Sequence, residues 1–213
     1  MFLGVLRNPR ATLEATGRER RFWAAARIVG LWALLNFLLT EAFVLGRDLR
    51  EQFPELSPAT LEQLDATLRI FAPASAVLLP FIWWIGVSFL LQITPRLFGG
   101  RTDLAPTLAV VGASCAPWVL GYAIQLPLGI LQLLLVGSGG AAALGVLAFL
   151  ISIGSLVWHV VLVIIGTRLV AGTSYRGAGA SCALTGLGCA TAGLILMISV
   201  LTLIFTLSGV AGG

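Results

Sequence analysis

His159 is the single histidine of the chain, and it lies inside the apolar run SLVWHVVLVI. An ionisable side chain at that depth is costly to bury, so it suggests a proton relay, a metal ligand, or a neutral imidazole bonded to a neighbouring segment. A relay needs a carboxylate at similar depth. Glu41 falls toward the end of a different run and is nearer the surface. The neutral, hydrogen-bonded imidazole is therefore the expectation. Asn36 and Gln125 are polar groups in two other apolar runs, with Gln132 close behind Gln125. Asn36, Gln125 and His159 form a candidate intramembrane polar site, which a channel or permease would have to gather round one water-accessible cavity.

Other chemistry is poorly supplied. No Ser-His-Asp set can be assembled around a histidine buried in an apolar run, and no pair of His or Cys has metal-ligand spacing. Gly99 and Gly100 lack the longer Gly-x-x-x-x-Gly-Lys pattern of a nucleotide loop. Cys115, Cys182 and Cys189 all fall within or beside apolar runs. Cys182 and Cys189 are seven positions apart, about 10 Å along a helix, which is too far for a disulfide. Small buried thiols are expected. The chain reads as non-enzymatic, with no cofactor, no metal and no nucleic-acid partner.

The stretch RLFGGRTDLAPTLAVVGASCAPW (96–118) is charged and glycine-broken between long apolar runs. Gly99 and Gly100 suit a helix end, and Arg96 and Arg101 would hold the turn at the lipid headgroups. Asp103 is placed to cap the next helix, with Pro106 in its first turn. Residues 104–115 then read as an interfacial helix that tips inward at Pro117, with Trp118 near the interface. A topological hinge is favoured over a ligand loop. The same residues, Arg96, Gly99, Gly100, Arg101 and Asp103, make a candidate cytoplasmic docking surface together with Arg168, Tyr175 and Arg176.

The elements that must position these groups are dictated by composition. Hydrophobic residues are 58% of the 213, charged residues only 10%, and mean hydropathy is +1.00. Soluble domains carry about a quarter charged residues, so a water-facing surface cannot be built from this sequence. It is expected to be all-α: a single membrane domain over 1–213, a polytopic helical bundle of five transmembrane helices preceded by an amphipathic N-terminal helix. The spans fall at about 22–45, 73–93, 113–136, 142–169 and 183–208. Residues 1–21 read as a surface helix capped by Asn8 and opened by Pro9, with its arginines toward anionic lipid. Ser57 caps a second amphipathic helix over 57–71, lying on the membrane and feeding the second span. The GSGGA link makes the third and fourth spans antiparallel neighbours.

Charge placement sets orientation. Arg7, Arg10, Arg18, Arg20 and Arg21 precede the first span, Arg96 and Arg101 come after the second, and Arg168 and Arg176 after the fourth. The first-to-second loop instead holds Asp48, Glu51, Glu55, Glu62 and Asp65 against Arg47 and Arg50. The positive-inside rule puts the N-terminus in the cytoplasm and the C-terminus outside. Gly179, Ala183, Gly186, Ala190 and Gly193 step by four, three, four and three along the last segment. That small-residue stripe suits close helix packing, within the chain in preference to a homo-oligomer face.

Several blocks in order carry a family resemblance: Asn-Pro-Arg-Ala-Thr-Leu (8–13), RLFGG (96–100), TLAVVGASCAPWVLG (107–121) and WHVVLVIIGTRLVAGTSYRGA (158–178). The chain resembles the Yip domain family, membrane proteins first named for interaction with Ypt/Rab GTPases, and it is most similar to the prokaryotic branch. The resemblance covers about residues 5–208 and implies five spans with a cytoplasmic N-terminus. In eukaryotes it would imply vesicle trafficking and membrane shaping. The long N-terminal region and the Asp-Leu-x-Gly-Pro signature of eukaryotic members do not occur here, so Rab binding is not carried over. The expected role is that of a scaffold or adaptor in a prokaryotic plasma membrane, with the bilayer and a protein at the cytoplasmic face as partners. Two rivals are the channel or permease above and a curvature protein acting through 1–21 and 57–71.

Overall fold

The computed structural model describes residues 1–45, 53–55, 57–135 and 139–211, with side chains through 42 and 194 in the first and last of these segments. Arg47, Asp48, Arg50 and Glu51 of the acidic loop, and part of the GSGGA link, lie outside the described residues. The helices are α1 (Phe2–Arg7), α2 (Pro9–Arg18), α3 (Phe22–Leu45), α4 (Pro58–Ile93) with a 3₁₀ turn at Thr94–Phe98, α5 (Leu104–Ser114), α6 (Ala116–Leu134), α7 (Gly139–Ala171) and α8 (Tyr175–Ala211). No strand occurs among the described residues. The protein is an all-α membrane bundle. Four segments of the described residues are long and apolar enough to cross a bilayer: Phe22–Ala42, Pro58–Phe98, Leu104–Leu134 and Gly139–Ala171.

The helix starts at α2 and α4 obey the sequence. Asn8 accepts from the Ala11 N–H and is followed by Pro9; Ser57 accepts from the Thr60 N–H at 3.2 Å and is followed by Pro58. In both, the side chain satisfies an amide that has no helical acceptor, and proline occupies a position that needs no donor.

Two expectations are corrected. The amphipathic segment at 57–71 is not a separate surface helix, because it runs without a break into the second span as the 36-residue α4. Pro73 and Pro80 lie inside that helix. Residues 1–21 are two helices, and α2 is docked on α5 and α7 with Leu13, Thr16 and Gly17 buried. A Cβ on Gly17 would lie 2.6 Å from Val170 Cγ1, so the glycine permits this approach. Residues 104–114 are packed into the bundle: Thr107 and every residue from Ala109 to Ser114 are buried. Trp118 is half-buried and stacked on Trp32 with ring centroids 5.9 Å apart.

The core lies where α3, α4, α5 and α7 meet, around Val29, Trp84, Val110, Val111 and Leu162. In a bilayer this contact is stabilised by dispersion and interhelical hydrogen bonds, because lipid is as apolar as the side chains. Glycine sets the spacing at two points. A Cβ on Gly112 would lie 2.8 Å from Trp84 Nε1 and 2.9 Å from the Ala25 Cβ, and one on Gly166 would overlap Val110. Trp84 also donates its indole N–H to the Leu108 carbonyl at 2.8 Å, which fixes α4 against α5.

Candidate functional site

At one end of the bundle two turns are stitched together. Gly99 closes the 3₁₀ turn in the left-handed region (φ 78°), and the Gly100 amide returns to the Pro95 carbonyl at 2.9 Å. The Arg101 amide donates to the Ala171 carbonyl at 3.0 Å, and the Thr173 hydroxyl donates to the Phe98 carbonyl at 3.3 Å. Gly172 reverses the chain between α7 and α8 with φ 64°. A Cβ on Gly100 would lie 3.0 Å from the Ala171 carbonyl oxygen, so a larger residue would push the turns apart.

Beside the stitched turns is an open cavity of about 730 Å³, lined by Arg96, Gly99, Gly100, Arg101, Asp103, Thr102, Pro106 and Val170. Five of the eight candidate docking residues therefore share one cavity. The other three lie outside its lining, on the two helices that the 172–174 turn joins. Arg168 lies over the Tyr175 ring at 4.1 Å, and Arg176 comes next at the start of α8.

Charge at this end is predominantly positive. Asp103 is the one carboxylate in the cavity wall, and it pairs with Arg20 at 3.5 Å. Arg96, Arg101 and Arg176 make no ion pair among the described residues. Asp103 does occupy the cap position of α5, but its side chain makes no capping bond. Its backbone carbonyl accepts from the Thr107 hydroxyl at 2.7 Å instead. Arg20 is not legible in the sequence as part of this site. It belongs to a run of arginines, its backbone is the described non-glycine residue with positive φ (49°), and its partner is 83 positions away.

The polar groups within the spans are each engaged separately. Asn36 donates from Nδ2 to the Ala76 carbonyl at 2.8 Å, and the residue four positions beyond Ala76 is Pro80, which has no N–H to give. Gln125 donates from Nε2 to the Ser152 hydroxyl at 3.0 Å. His159 is 3% exposed, and its Nδ1 lies 2.8 Å from the Ser114 carbonyl. A carbonyl only accepts, so this ring carries its hydrogen on Nδ1. The three groups are bonded on different helix pairs.

The small-residue stripe also turns out differently from expectation. Gly179, Ala183 and Gly186 border an apolar cavity of about 360 Å³ between α4, α7 and α8, with His159 on its wall. A Cβ on Gly179, Gly186 or Gly193 would meet nothing within 4 Å, and Ala190 is exposed. The packed face of α8 is the neighbouring one, where Thr185 meets Thr94 and Cys182 meets Thr167.

Comparison with known proteins gives one relationship: residues 3–199 match the Yip1 domain. No curated protein and no solved structure matches the chain.

Proposed function

We propose a role that starts from one premise: this chain belongs to the Yip1 domain family, matched over residues 3–199. It is an integral membrane protein that works as a non-enzymatic scaffold, docking a protein partner at the cytoplasmic end of the bundle. In this reading α8 is the fifth span, the N-terminus is cytoplasmic and the C-terminus is outside, in a prokaryotic plasma membrane. The positive-inside distribution of arginine supports the orientation.

The observation that carries the docking reading is the pairing of a rigid backbone with uncommitted charge. The 96–103 and 171–175 turns are fixed by backbone hydrogen bonds and one from the Thr173 hydroxyl, while Arg96, Arg101 and Arg176 have no ion-pair partner among the described residues. A preorganised surface loses little conformational freedom on binding. Its positive charge steers an acidic partner and makes the association weaken with salt. The polar groups within the spans lend less to a permease, since Asn36, Gln125 and His159 each have a bonding partner of their own.

The test is gentle extraction from the native membrane and then native mass spectrometry, for the wild type and for R96A/R101A/R176A. The expected result is a protein in fixed ratio with the wild type and lost from the triple variant. Retention of every associated protein by the triple variant would remove the docking reading.

A further inference from the structure

We propose that the cavity between the 96–103 loop and Val170 binds the phosphate-bearing headgroup of an anionic membrane lipid. The inference rests on reading this end as a docking face, and it assigns the cavity itself to lipid.

Three observations meet there. The first is charge. Arg96 and Arg101 stand five positions apart on one loop, both line the cavity, and neither has an ion pair among the described residues. The one carboxylate on the wall, Asp103, is answered by Arg20. The cavity thus offers two uncommitted guanidiniums, each able to give paired N–H bonds to phosphate oxygens. The first turn of α5 borders the same space through Pro106, and its uncapped end adds positive potential.

The second is size. About 730 Å³ is within the range of small-ligand cavities and exceeds what a single inorganic anion requires.

The third separates lipid from soluble phosphate. Leu97 between the two arginines is 71% exposed, Phe98 is 40% and Leu104 beyond Arg101 is 37%. Apolar side chains interleaved with arginines at a helix end match the acyl-to-headgroup boundary, where the former contact lipid carbons and the latter contact phosphate. Exposed apolar residues next to these arginines in the chain can contact acyl chains, a contact that a free anion cannot make.

The experiment uses the full chain purified in detergent. It is titrated with dioleoyl phosphatidylglycerol, with dioleoyl phosphatidylcholine and with inorganic phosphate, and each titration is read by native mass spectrometry. The expected result is one phosphatidylglycerol retained per chain, preferred about 30-fold over phosphatidylcholine if each arginine contributes the usual headgroup attraction. R96Q/R101Q should lose that preference, whereas R176Q, outside the cavity wall, should keep it. Thermal midpoints of the variants check that they remain folded, and R96K/R101K, which keeps the charge, should retain part of the preference. Equal binding of the two lipids, an unchanged preference in R96Q/R101Q, or inorganic phosphate binding as tightly as phosphatidylglycerol would each overturn the assignment. No protein partner is present, so failure here is distinct from failure of the docking reading, which is judged by association in the native membrane.

Discussion

His159 gives its Nδ1 hydrogen to the Ser114 carbonyl at the place where the third apolar segment breaks. The helical donor to that carbonyl would be the Trp118 amide, but it bonds to Cys115 at 3.0 Å. The preceding residue, Pro117, has no amide to offer. Asn36 does the same for Ala76, whose helical donor position is Pro80. Two polar side chains that look like a permeation site thus serve to complete backbone opened by proline, as a bilayer interior demands.

Replacing His159 with Leu should leave the Ser114 carbonyl unpartnered and lower stability by about 1–2 kcal/mol. The loss should be smaller in a P117A background, where a regular helix can return the Trp118 amide to Ser114. Unfolding midpoints of the four proteins in one detergent give the coupling. Simple additivity of the two changes would contradict this account of the imidazole.

Two glycines, each replaced by alanine, should behave oppositely. At Gly166 the new Cβ overlaps Val110 in the core, and overpacking should cost about 1–3 kcal/mol. At Gly186 nothing lies within 4 Å, and the change should stay within about 0.5 kcal/mol. The same unfolding assay decides it; a large loss at Gly186 would mean that the stripe is packed after all, against lipid-borne or second-copy atoms.

Particular residues explain which features are legible in the sequence. The Asn8-Pro9 and Ser57-Pro58 caps and the left-handed Gly99 are local effects, settled by a side chain and the next few amides, so the sequence announces them. The length of α4 is hidden because Pro73 reads as a helix breaker at the junction of the amphipathic start and the apolar continuation, yet the helix runs through it and through Pro80. The burial of α5 is hidden because LAPTLAVVGAS has no charged face to declare itself, and its environment depends on Gly112 and Gly166 admitting Trp84 and Val110. The stripe on α8 shows that periodicity defines a face without naming what opposes it. Charge alone groups the docking residues; the bond from Arg101 to Ala171 that joins their two turns spans 70 positions and has no local signature.

Five spans require the two ends of α4 to lie on opposite sides of the membrane. At 36 residues the helix is about 54 Å long, enough to cross a bilayer and stand clear of it. With Cys115, Cys182 and Cys189 replaced by Ala, S174C should react with a membrane-impermeant maleimide only from the cytoplasmic side, and S57C only from outside. Labelling of both from the same side would contradict the proposed topology.

Asp103 offers a sharper test of the cavity than removing its arginines, because replacing it with Asn changes charge and leaves shape alone. Its pair with Arg20 is well exposed, at 62% for the arginine and 77% for the aspartate side chain, so D103N should alter stability by less than about 1 kcal/mol. Yet the substitution removes the one negative charge on the cavity wall and frees Arg20 beside it. Selectivity for phosphatidylglycerol over phosphatidylcholine should therefore rise, and the rise should shrink as salt is increased, since exposed charges are screened over about 8 Å near 0.15 M. Titration of the purified variant at low and high salt supplies the measurement. A fall in selectivity at low salt would show that Asp103 holds Arg101 and the loop in their binding geometry, and that charge on the wall is not what recognises the headgroup.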